Sequence, residues 1–200
     1  MPKSDLVARG DLYRYVLGDA WETLAPQVKG MHAPGFTAHG TLEVRHGRGA
    51  IARLLARLSG APPEAEASAV SLDVVANDSG QTWTRAYGAQ ETVRVTTKQW
   101  VRDGLLVEAY AGLAVHFRIV PDASGAVVYE QVKTTIELGW LSVRLPSFFS
   151  PRARGRVGPG AAPDEAKVDV SVSAPLVGLL VSYSGTMKGS FESPREVKDP

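Results

Sequence analysis

The chain has 200 residues, 44% hydrophobic and 22% charged, the proportions of a globular domain with one well-filled core. Lys+Arg 22 against Asp+Glu 21 leaves a net charge of +1, so no bulk field favours nucleic acid or an anionic membrane as partner. The absence of cysteine excludes disulfide scaffolds, zinc ribbons, iron–sulfur centres and thiol catalysis, and it suits a cytoplasmic protein.

The opening MPKSDLVARGDLYRY has no apolar core, and no run approaches the roughly 18 uncharged apolar residues of a membrane span. Residues 1–10 are expected to form a tail. Between Asp11 and Lys29, Leu12, Tyr15, Val16, Trp21, Leu24 and Val28 recur at helical spacing. Gly18 interrupts them and Pro26 suits a first helical position, so two short helices are predicted. The period then changes: Phe36, Ala38, Leu42 and Val44 alternate with polar residues as in a half-buried strand. Ala50–Leu58 is rich in strong helix formers and is closed by Gly60 and Pro62-Pro63.

From Ala69 onward the pattern is almost all strand. Val70, Leu72 and Val74 lead to the turn Asn77-Asp78-Ser79-Gly80, and Thr82–Tyr87 runs back. Asp103-Gly104 separates the strands Thr92–Val101 and Leu105–Tyr110, and Asp122–Gly125 separates Leu113–Val120 from Ala126–Ile136. The prolines and arginines of Gly139–Lys167 predict a long connection acting as a lid. Val168–Ser173 and Ala174–Tyr183 read as a last pair of strands, and residues 188–200 as a disordered tail. The expected fold is α+β: one domain over 11–187, with N-terminal helices on a strongly curled antiparallel sheet. So many strands in one sheet predict a half-barrel or barrel enclosing an apolar cavity.

Taken together, Leu12-Tyr13 through Trp21, Met31-His32, Arg45–Gly49 leading into Ala52–Leu55, Pro62-Pro63, Gln81–Tyr87, Leu105–Glu108 and Ala174–Gly185 resemble the DUF4166 family. The resemblance spreads over about residues 11–187 and departs from the family pattern between Gly139 and Lys167. It implies a domain of unassigned activity, often joined C-terminally to saccharopine-dehydrogenase-like or short-chain-reductase-like Rossmann domains. A separate reductase is thereby implied as a partner.

Gly47-Arg-Gly49-Ala-Ile-Ala52 imitates a dinucleotide fingerprint, but a meander in place of a parallel βαβ unit argues for a tight turn and no cofactor. An anion held by Arg48 at the following helix is the alternative. His32, His39, His46 and His116 show no metal-ligand spacing, and His116 is expected on a solvent-facing strand face beside Arg118. Trp83, Arg85 and Tyr87 share one strand face, and Glu108 shares another with Leu106 and Tyr110. Two readings of Arg85 and Glu108 stand side by side. They form either an internal ion pair that fixes the sheet, or the acid–base floor of a pocket lined by Trp83, Tyr87 and Tyr110. Trp140, Phe148 and Phe149 are expected to cover the mouth of that pocket. The functional expectation is cofactor-free isomerisation or cyclisation of an apolar natural-product or lipid-like molecule; the alternative is a non-catalytic ligand-binding module.

Overall fold

The computed structural model describes residues 10–58, 60–77, 79–138 and 141–190. Leu12–Leu17 forms α1, a 3-10 turn follows over Gly18–Thr23, and Pro26–Gly30 forms α2 with its proline in the first turn. Helices this short are not stable alone. They are held by burial of Leu12, Tyr13, Leu17, Trp21 and Val28, each contributing about 1.5–3 kcal/mol.

Eleven strands follow: β1 (Thr37–His46), β2 (Ala65–Asn77), β3 (Gly80–Tyr87), β4 (Val93–Arg102), β5 (Leu105–Tyr110) and β6 (Leu113–Pro121), then β7 (Val127–Leu138), β8 (Leu141–Arg144), β9 (Arg152–Pro159), β10 (Glu165–Ala174) and β11 (Gly178–Ser190). The third helix, α3 (Ala50–Leu58), joins β1 to β2. Each strand from β1 to β7 pairs antiparallel with the next, β9 pairs with β7, and β11 returns to β1, closing a barrel of ten strands. The eleventh, β8, pairs with Thr135–Leu138 of β7, whereas β9 takes Val127–Glu130.

The curled sheet of the prediction is thus a closed barrel. Asp103 and Gly104 both have positive φ, 55° and 72°, the backbone that a two-residue hairpin needs to match strand twist. One end of the barrel is stoppered by α1 and α2. There Leu12, Tyr13, Val28, Met31, Phe36, Trp83, Phe117 and Val127 form one core, so side chains fill this half of the interior where the pattern predicted a cavity.

Three expectations are corrected. The stretch 139–167 is not one long connection, because β8, β9 and the start of β10 occupy much of it. Arg152, Arg154 and Arg156 alternate with Ala153, Gly155 and Val157, and the small residues leave room inside: a Cβ on Gly155 would sit 3.2 Å from the Tyr129 ring. Second, His116 is 1% exposed rather than solvent-facing. It lies in the cross-strand row Trp100–Val107–His116–Lys133, flanked by large side chains, and its Nε2 is 3.0 Å from Thr135 Oγ1. Third, β11 runs to Ser190, past the expected boundary at Met187. The Gly47 turn is explained by crowding: β1 and β2 are antiparallel around α3, and a Cβ on Gly47 would collide with the Leu179 carbonyl.

Candidate functional site

The end of the barrel opposite α1 is built differently. By strand parity Val93, Val95, Arg85, Glu108, Tyr110, Val115, Val170, Val181 and Tyr183 point inward there, yet every one retains partial exposure. Inward-facing side chains that water still reaches make this end less tightly packed than the stoppered one. A ten-stranded barrel has a wider interior than an eight-stranded one, and α1 and α2 stopper one end of it.

Arg85 and Glu108 meet on this wall. Arg85 Nη2 donates to Glu108 Oε1 at 3.4 Å and Nη1 donates to Thr97 Oγ1 at 3.1 Å, while the guanidinium lies 5.3 Å from the Trp83 ring centre. Their side chains are 15% and 22% exposed. Register explains the meeting: Arg85 is opposite Val95, Gln99 is opposite Glu108, and all four face inward from three consecutive strands. Burial works against the Arg85 charge, but the Glu108 carboxylate beside it outweighs that and holds the guanidinium above its ordinary pKa. Burial also raises the Tyr183 and Tyr87 phenols, so both remain protonated donors at neutral pH.

Beneath this wall runs a polar chain that the sequence reading missed. Tyr13 donates its hydroxyl to Gln99 Oε1 at 2.9 Å, and the Tyr129 hydroxyl lies 3.0 Å from that of Tyr13 and 2.9 Å from His32 Nε2. His32 Nδ1 donates to the Val28 carbonyl at 2.7 Å. Burial pushes the His32 pKa down to about 4, so the ring is neutral. Trp83 Nε1 donates to Gln81 Oε1 at 2.8 Å within β3, and Gln81 Nε2 donates to the Gly10 carbonyl at 2.6 Å, which ties the segment before α1 to β3.

Of the other expected site residues, Trp83 and Tyr87 are buried against the core, and the Tyr110 hydroxyl is beside Gly60, just past α3. Phe148 and Phe149 stack edge to face at 5.1 Å and are 57% and 70% exposed. They sit in the β8–β9 loop. Trp140 lies outside the described residues. Tyr183 was the omission that alternation could have supplied, since Val181, Tyr183, Gly185 and Met187 share one face of β11.

Two surface clefts lie elsewhere. One of about 890 Å³ borders Glu43, Arg45, Arg48 and Glu64, and one of about 660 Å³ opens where β8 and β9 diverge, near Arg144, Ser150 and Arg154. Both carry exposed charged residues of both signs, whereas the inward wall around Arg85 gathers charge beside valine and aromatic side chains. Among the described residues no cluster of His, Asp or Glu is arranged to hold a metal, and no helix is long and apolar enough to cross a membrane.

Comparison with protein families matches residues 24–187 to "Domain of unknown function (DUF4166)". The chain belongs to the DUF4166 family. The matched segment of this DUF4166 domain spans α2, α3 and the strands up to Met187 of β11, and so contains Arg85, Glu108 and Tyr183. A search of curated proteins returned no match.

Proposed function

We propose that this DUF4166 domain takes a small apolar or amphipathic molecule bearing a carbonyl group into the less tightly packed end of its barrel and isomerises or cyclises it without a cofactor. The observation that carries the reading is a cation and a carboxylate 3.4 Å apart on an inward wall of valines and tyrosines that water reaches. A permanently charged guanidinium suits a developing enolate oxygen, and the protonated Tyr183 phenol adds a donor beside it. Glu108 then removes a proton from the carbon next to the carbonyl. The electron pair moves onto the oxygen held by Arg85, and Glu108 returns the proton at a second carbon. Nothing is oxidised or reduced.

Native mass spectrometry of the purified protein, followed by extraction, tests the reading. An apolar compound bound to the native protein and lost from Arg85→Met/Glu108→Leu supports the site. A compound bound equally by both proteins removes the pair from it. A compound that binds at the pair but is never converted makes the domain a carrier, or a partner module for a separate reductase.

A further inference from the structure

The helix α3 is oriented against the usual rule. It buries Ala52 and Ala56, at 0% and 1% exposure, and turns Ile51, Leu54 and Leu55 outward at 63%, 56% and 38%. An amphipathic surface helix ordinarily does the reverse. Spaced i, i+3 and i+4, the three large residues form one apolar stripe. The helix packs on β1 and β11, and the turn after it brings Gly60 against the Tyr110 hydroxyl of β5. It therefore lies across the rim of the less tightly packed end. On the same rim, the β10–β11 turn presents Leu176 at 90% exposure with φ of 64°.

The charges on α3 itself have one sign. Arg48, Arg53 and Arg57 are exposed, α3 holds no acidic residue, and among the described residues none of the three is within ion-pair distance of a carboxylate. Arg45 is paired with Glu43 at 2.6 Å, and the acids Glu64, just before β2, and Glu66, within it, line the cleft beside Arg48. A net charge of +1 gives no bulk attraction, so any selectivity is local to the rim.

We propose that this rim docks on an anionic lipid bilayer, with Ile51, Leu54, Leu55 and Leu176 entering the headgroup boundary and Arg48, Arg53 and Arg57 pairing with lipid phosphates. An exposed apolar stripe flanked by arginines is the chemistry of an interfacial helix, and protein partners have no equal need for three unpaired cations. Docking in this orientation places that end of the barrel against the bilayer. The inference is independent of the chemistry proposed for Arg85 and Glu108.

Vesicle co-sedimentation of the full chain tests it, using phosphatidylcholine alone and phosphatidylcholine mixed with phosphatidylglycerol. Binding is expected to the mixed vesicles, with affinity falling about fivefold for each of Arg53→Gln and Arg57→Gln and falling further as salt is raised. Leu54→Ser, at an exposed position that leaves the circular dichroism spectrum unchanged, is expected to lower it about tenfold. Absence of binding, or equal binding to both vesicles, overturns the proposal. So does a Leu54→Ser-sensitive dimer in sedimentation equilibrium without vesicle binding, which would make the occupant a second copy.

Discussion

Arg85→Met removes the cation and leaves the Glu108 carboxylate on the barrel wall with no counter-charge. Truncating one partner of a fully buried pair costs about 3–5 kcal/mol. Here both side chains retain some exposure, 15% and 22%, and a single contact of 3.4 Å joins them, so water recovers part of the loss. The expected destabilisation is about 2–3 kcal/mol, including the loss of the Thr97 hydrogen bond. For a domain of this size each kcal/mol moves Tm by about 2–4 °C, so thermal unfolding should shift down by roughly 5–10 °C. The Arg85→Met/Glu108→Leu protein should regain most of it, because two apolar side chains leave no stranded charge on a wall of valines. Urea unfolding of the four proteins measures the coupling. If Arg85→Met keeps the parental Tm, or if the double variant is no more stable than the worse single one, the two residues are not an energetic unit.

The neutral His32 should make stability depend on pH. Its pKa is near 4 when folded against about 6.5 when unfolded, so below pH 6.5 the unfolded chain gains a proton that the folded one refuses. Stability should fall by about 3 kcal/mol as pH drops from 6.5 towards 4 and return as pH rises. Subtracting the urea-midpoint profile of His32→Gln isolates this slope from that of His116, whose pKa is also lowered; an identical profile would sink the assignment. Gly155→Val should cost about 1–3 kcal/mol in urea unfolding by pressing on the Tyr129 ring, and no change would mean the wall is slack there. Leu176→Gly should stabilise by about 1 kcal/mol by relieving its left-handed backbone, while weakening vesicle binding; a fall in stability would contradict the turn geometry.

The strands with strict alternation and explicit turns, from Val70 to Ile136, were legible because a period of two and a residue pair such as Asp103-Gly104 leave few alternatives. The same parity placed Arg85 and Glu108 on inward faces. What escaped was the strand β9, whose inner positions Ala153 and Gly155 carry too little hydrophobicity to register, because their smallness serves the bulk of Tyr129 across the ladder. His116 escaped for a related reason: alternation tells which face a residue occupies, and neighbours on other strands decide whether that face is covered. The chain from Gln99 through Tyr13 and Tyr129 to His32 joins residues up to 116 positions apart, and no local pattern announces it.

Closure of the ring by β1 and β11 also fixes an order of events. Thr37 pairs with Ser190 and His46 with Val181, so the first strand finds its second neighbour only when the last has been made. At about 5–20 residues per second a translating ribosome separates the two by on the order of ten seconds. Throughout that interval one side of β1 is a bare row of amide and carbonyl groups, open to any other extended chain. The ladder is also among the most distant contacts in the domain, which places it late in folding and makes the nascent chain a natural client for chaperones.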